Sequence, residues 1–137
     1  MQCPCHSGKP YQECCSPYHQ GDSPPNALAL MRSRYSAYAL HKVDYIIVTT
    51  HPDHPDAALP ISQKKKQIEA FSKETLFKGL DIIEFEDRFP YSTVTFCAHL
   101  IQKGEETSFT EKSEFAQVNG RWLYRRPITI ERKDKNP

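Results

Sequence analysis

The sequence predicts an α+β protein, with N-terminal helices packed on an antiparallel sheet and a small cysteine element in front of them. Three observations carry this reading. Apolar residues between Leu28 and Tyr38 recur at three- and four-residue spacing, whereas beyond Gly79 they alternate. Asn119-Gly120, set between two apolar runs, is the dipeptide of a type I′ hairpin. Four of the five cysteines fall within the first fifteen residues. At 137 residues the chain has room for one compact domain and a small appendage.

In chain order, the first element is the cluster Cys3-Pro-Cys5, an eight-residue spacer, and Cys14-Cys15. Zinc takes four thiolates in a tetrahedron, which requires two short ligand pairs and a connector that folds one pair onto the other. The connector runs from His6 to Glu13; Gly8 supplies a turn with positive φ and Pro10 a second bend. Lys9 softens the negative charge of such a site. Adjacent Cys14 and Cys15 can share a metal only where the backbone turns, for example at a helix entry. Disulfides and a reactive thiol are the competing readings. Residues 1–25 have no apolar stretch of a signal peptide, and no run of about 18 apolar residues occurs. The chain is therefore expected to be cytoplasmic and free of membrane, where clustered cysteines favour metal. One structural Zn2+ on Cys3, Cys5, Cys14 and Cys15 is the expectation, with His19 or His6 replacing a cysteine as the main variant. Cys97 lies in an apolar strand pattern and reads as a small buried hydrophobe.

Pro24-Pro25 is a stiff, short link, so the element is expected to pack against the main domain. Asn26 caps a first long helix, whose buried stripe is Leu28, Met31, Tyr35 and Tyr38, with Ser33 on the opposite side. A short helix spans Asp44 to Thr49, capped by Asp44 and burying Tyr45, Ile46, Ile47 and Val48. His51 to Asp56 is a loop. Ser62 caps a further helix to about Leu76, with Ile68, Phe71 and Leu76 inward. Four strands come next, Leu80–Asp87, Ser92–Gln102, Glu106–Val118 and Arg121–Ile128, as consecutive hairpins. Helices first and strands after place the helices on one sheet face.

The run Cys3-Pro-Cys-His-Ser-Gly-Lys-Pro-Tyr-Gln-Glu-Cys-Cys15 resembles the SEC-C motif, a small zinc-binding element of the translocation ATPase SecA and of many other bacterial proteins. The resemblance implies the same four cysteine ligands; His6 departs from it, standing where the motif commonly has Gly. Leu30-Met-Arg-Ser-Arg-Tyr-Ser-Ala-Tyr38, Asp44-Tyr45 and Thr50-His-Pro52 are similar to the YchJ-like family. That resemblance implies a SEC-C element over residues 1–22 and a nuclear-transport-factor-2-like α+β cone over 23–130, leaving 131–137 as a disordered tail. It implies no established activity.

The remaining candidates are weighed against plain structural roles. Val94, Phe96, Ala98 and Leu100 share one strand face, with Thr95, Cys97 and His99 on the other. Phe109, Ser113 and Phe115 alternate with Thr110, Lys112 and Glu114. His99 and Glu114 could meet as a base and its orienting carboxylate, but exposed surface roles are the expectation. Arg32 and Arg34, two apart, do not project side by side from a helix. A structural pairing with Glu84 or Glu114 is favoured, and Arg34 is the candidate for a pocket anion. His51-x-x-His54 has metal-like spacing but no further ligands.

Lys and Arg total 18 against 17 Asp and Glu, which gives no global field for nucleic acid. Lys64-Lys65-Lys66 and the C-terminal basic run read as solvated surface. No phosphate-cradling glycine loop and no Gly-x-Ser-x-Gly occur. No catalytic residue is assigned. The sequence points to a zinc-bearing interaction protein that contacts another protein through its cysteine element, with a cone that serves as scaffold or small-ligand receptor. The alternative is an enzyme using acid–base residues in the cone on a small substrate.

Overall fold

The structure, a computed structural model, describes residues 1–132. A 3-10 turn, Tyr11–Glu13, and a one-turn helix α1, Ser16–His19, form the cysteine element. Helices α2 (Ala27–Ala39), α3 (Val43–Val48) and α4 (Ile61–Glu74) follow. Strands β1 (Thr75–Glu86), β2 (Tyr91–Gln102), β3 (Glu105–Glu106), β4 (Phe109–Val118) and β5 (Arg121–Arg132) complete the described chain. The antiparallel sheet has the order β1-β2-β4-β5, with β3 on the far end of β2. It does not close, so β1 and β5 are edges. The α+β expectation holds, and of the expected tail, Glu131 and Arg132 belong to β5 while residues 133–137 lie outside the described residues.

The hydrophobic core lies between α2 and one face of this sheet. In β2 the alternation is complete: Val94, Phe96, Ala98 and Leu100 are buried, and the residues between them are half-buried. Leu30, Met31 and Tyr35 of α2 meet them, with Phe115 and Trp122 from β4 and β5. Asn119 and Gly120 both take positive φ, as the type I′ turn of the β4–β5 hairpin requires.

Three local expectations fail, each for a tertiary reason. Helix α2 is capped by Asn26, whose side chain accepts from the Ala29 amide at 2.8 Å. Yet it is not buried on one stripe alone. Ser33, Ser36 and Ala37 are fully buried as well, because the cysteine element and α3 cover the side away from the sheet. Small residues there allow the close approach. Helix α3 buries only Ile46 fully; Val48 is exposed, and Asp44 lies in the first turn, paired with Lys65 at 3.3 Å rather than capping. Helix α4 starts at Ile61 behind Pro60 and ends at Glu74. Thr75 then opens β1 directly, five residues before the expected start, and Leu76 is exposed. Gly79 does not end an element: it marks a bulge inside β1, where its backbone approaches the His99 ring.

β4 begins only after a break at Thr107-Ser108, where the Ser108 hydroxyl accepts from the Leu100 amide. β5 runs to Arg132, past Pro127, which an edge strand tolerates. The segment after α3 adds a short parallel bridge: the His51 amide donates to Tyr124 O at 2.8 Å, and the Tyr124 amide to Thr49 O at 2.9 Å.

Candidate metal centre and cone cavity

The connector between the cysteine pairs folds back as the spacing requires. The Cys3 amide donates to Lys9 O, the Tyr11 amide to Met1 O, and Gln2 bridges Pro10. Gly8 has a φ of 87°. Cys14 closes the 3-10 turn and Cys15 opens α1, so the adjacent pair sits at the junction of two helical pieces and both thiols turn inward. The ligand atoms of Cys3, Cys5, Cys14 and Cys15 all lie within 4.8 Å of one another, a group that could hold a metal ion. Cys5 and Cys14 sulfurs are 3.5 Å apart, and Cys14 and Cys15 sulfurs 3.9 Å. A zinc–sulfur bond of about 2.3 Å gives tetrahedral edges of roughly 3.8 Å. A disulfide would need about 2.05 Å, and all five cysteines are free.

The electrostatics point the same way. Cys5 is held down to about 4, chiefly by its hydrogen bond with Cys15. That bond and burial push the Cys15 thiol up, while burial first of all lifts Cys3 to about 11. A bound cation lets buried thiols ionise. The cation that reaches the cage from the protein is Arg32 of α2, whose Nη1 lies 3.2 Å from Cys5 O and 3.9 Å from its sulfur. Exposed Lys9 contributes its amide instead, donating to Ser7 Oγ, which lies 3.2 Å from the Cys14 sulfur.

Neither histidine joins the sulfurs. His19 donates from Nε2 to Ser33 O, 2.8 Å, and its Nδ1 lies 2.6 Å from the Tyr11 hydroxyl. Burial lowers its pKa. His6 adopts φ 61°, the left-handed conformation that a glycine would take more easily. Its ring stands edge-on to Tyr35, and its Nε2 lies 3.2 Å from Phe77 O. Both histidines thus fasten the element to the main domain, as does Arg121, which donates to Gly21 O. The packing expected from Pro24-Pro25 is present.

The second candidate site is a cavity of about 190 Å³ between α2, α4 and the inner sheet face. Phe71, Phe77, Phe96, Phe109 and Phe115 wall it together with Tyr35, Tyr38 and Tyr124. Its polar members are Arg34, Glu111 and Ser113. Glu111 accepts from the hydroxyls of Ser113 and Tyr124, the latter at 2.7 Å. Arg34 is buried, and its Nη1 donates to Ile46 O, Thr49 Oγ1 and Thr50 Oγ1. Its guanidinium lies over the Tyr124 ring, 4.9 Å from the centroid. The expected structural role is real but uses carbonyl and hydroxyl partners, not Glu84 or Glu114. A wider cleft of about 320 Å³ adjoins the cavity through Arg34, Tyr38 and Tyr124 and is lined by His51, His54 and Lys64.

The other sequence candidates do not converge. Glu114 pairs across β4–β5 with Arg125 at 2.6 Å and Arg126 at 3.0 Å. Burial raises its pKa, but the two arginines outweigh this and lower it overall. His99 pairs with Asp81 at 2.7 Å in solvent. In register, Glu114 lies opposite Thr93, six residues along β2 from His99, so the two cannot form a dyad. Glu84 is exposed. His51 and His54 each accept from a backbone amide two residues on, stabilising their turns, and belong to no metal-ligating group among the described residues. Cys97 is only half-buried. Glu111 is the site residue that sequence reasoning misses, although its spacing signals it: Phe109, Glu111, Ser113 and Phe115 share one strand face.

Residues 26–127 match the family model described as the middle NTF2-like domain of YchJ. The chain is 39% identical over 124 residues to a UPF0225 protein of Deinococcus radiodurans, covering 89% of this chain and 85% of that one. It is 37% identical over 127 residues to a UPF0225 protein of Serratia proteamaculans, covering 89% and 79%. The solution structure of a SEC-C motif containing protein from Rhodopseudomonas palustris is similar with a TM-score of 0.80 at 35% identity, covering 98% of this chain and 100% of that one. The crystal structure of one from Psychrobacter arcticus has a TM-score of 0.76 at 28% identity, covering 97% and 84%.

Proposed function

The chain belongs to the YchJ family, and on that premise we propose that it is a cytoplasmic one-zinc protein: its cysteine element docks another protein and its cone receives a small ligand. The observation that carries the zinc reading is the cage itself, four sulfurs within 4.8 Å of one another with no histidine among them. Four thiolates suit zinc better than a hard cation, which prefers oxygen. Four protein ligands leave no open position for water, so the metal is structural rather than catalytic. Free thiols in this number fit a reducing compartment. Among the described residues, no helix is long and apolar enough to cross a membrane.

The docking role rests on what the element turns outward. Its far side, Met1, Gln2, Lys9, Pro10, Gln12 and Glu13, is exposed, while its near side is fastened to α2 and β1. SEC-C motif containing proteins of similar structure share the element. Acid–base catalysis in the cone is the second reading, favoured by one observation, the Glu111 carboxylate on the cavity wall.

Metal analysis of freshly purified, reduced protein tests the zinc reading. One zinc per chain is expected, and Cys14→Ser should lower it sharply. Protein that is folded yet metal-free at every stage sinks the reading.

A further inference from the structure

Glu111 is 8% exposed and belongs to the wall of a cavity otherwise lined mostly by aromatic rings. Both of its hydrogen bonds, from Ser113 and Tyr124, fall on Oε2 and come from neutral hydroxyls. Among the described residues, no Lys, Arg or His nitrogen forms an ion pair with it. A carboxylate accepts about four hydrogen bonds, so half of its capacity remains. Glu114, three residues on, shows the contrast: two arginines of the protein itself neutralise it. Arg34 lines the same cavity, and its charge too is met only by neutral oxygens, but its Nη1 is tied to the end of α3 and its guanidinium is stacked on the Tyr124 ring.

We propose that the cone is a binding site for a small organic ammonium ion with an aromatic or branched apolar body. Its N–H groups are taken by Glu111 and its charge lies against the faces of the surrounding rings. Both interactions select for cations: the carboxylate by charge, the rings by their quadrupoles. Size agrees, because an apolar cavity of roughly 150 Å³ accommodates benzene and this one measures about 190 Å³. The assignment rests on the receptor reading of the cone given above and names the chemistry of its ligand.

Calorimetric titration of zinc-replete, full-length protein at pH 7 tests it with three probes of one shape: phenethylammonium, 2-phenylethanol and phenylacetate. The ammonium ion is expected to bind about tenfold tighter than the alcohol, with phenylacetate weakest. Glu111→Gln should bring amine and alcohol to similar affinities. Ala98→Leu narrows the cavity without touching Glu111 and should weaken all probes, which keeps the test decisive if Glu111→Gln does not fold. Equal binding of amine and alcohol overturns the ammonium assignment and leaves the cone a receptor. Tightest binding of phenylacetate overturns it in favour of Arg34. No binding by any probe overturns the ammonium assignment and the receptor reading it rests on, while zinc content, measured on the same samples, stands or falls separately.

Discussion

The cysteine element and the cone solve the problem of a small interior in opposite ways. The element has almost no apolar core: Cys3, Cys5 and Cys15 are its buried centre, with Tyr11 and Cys14 packed on them. Its sulfurs gather within reach of one another, and hydrogen bonds tie it to its neighbour; on the proposed reading, zinc coordination supplies the rest. The cone is held by area, with Leu30, Val94 and Phe115 essentially sealed from water. On the zinc reading, the first interior depends on one ion and four sulfurs. The second depends on many weak contacts, and so it tolerates a cavity with a carboxylate in its wall.

Removing the proposed zinc should therefore have the largest effect and remain local at first. Binding energy at a structural zinc is folding energy, on the order of 10 kcal/mol in free-standing elements. Cys15→Ser, at a residue only 1% exposed, should destabilise the element by more than about 5 kcal/mol. Hydrogen exchange should show amides 1–22 losing protection while β2 and β4 keep theirs. Simultaneous loss in both regions would break the contrast and make the element part of the cone's own core. Phe115→Ala is the mirror experiment. It should lower stability by about 4 kcal/mol, read by denaturant unfolding, with zinc stoichiometry unchanged.

His19→Ala cuts between the two interiors. It removes bonds to Tyr11 and Ser33 without removing a sulfur. A loss of about 2 kcal/mol is expected, with metal retained and amides of the element exchanging faster. The smallest effect belongs to Glu114. Burial raises its pKa, but Arg126 and Arg125 lower it overall. A depressed carboxylate contributes stability that is complete above its unfolded pKa and lost as pH falls through the folded one. Wild type should thus exceed Glu114→Gln by about 1 kcal/mol at neutral pH, and the gap should close below about pH 4.5. A constant gap down to pH 2 would show that the carboxylate's charge is not what the arginines need.

The same contrast explains what can be read from residues alone. The cage is legible because its information is local: two pairs, a spacer, a glycine and a proline. The β2 alternation and the Asn119-Gly120 turn are legible for the same reason. Ser33 and Ser36 are not, because small polar residues on the outside of a helix look solvated until another element covers them. The entry into β1 is hidden because Leu76 and Phe77 continue the pattern of α4 as plausibly as they begin a strand. Arg32 invites comparison with Arg34, its neighbour in sequence; in the structure its partner is Cys5, far behind it. Glu111 is visible by parity along β4 and easily overlooked, because a charge amid phenylalanines reads as the outward residue.

Helix α2 stands between these interiors as a party wall. One side sends Arg32 to the sulfurs and offers Ser33 to His19, and the other sends Met31, Arg34, Tyr35 and Tyr38 into the cone. A wall shared by two rooms cannot be shifted in one without being shifted in the other. If an occupant of the cone displaces α2 and so changes the affinity of a partner at the element, that partner must change the occupant's affinity by the same factor, because linkage between two sites is reciprocal.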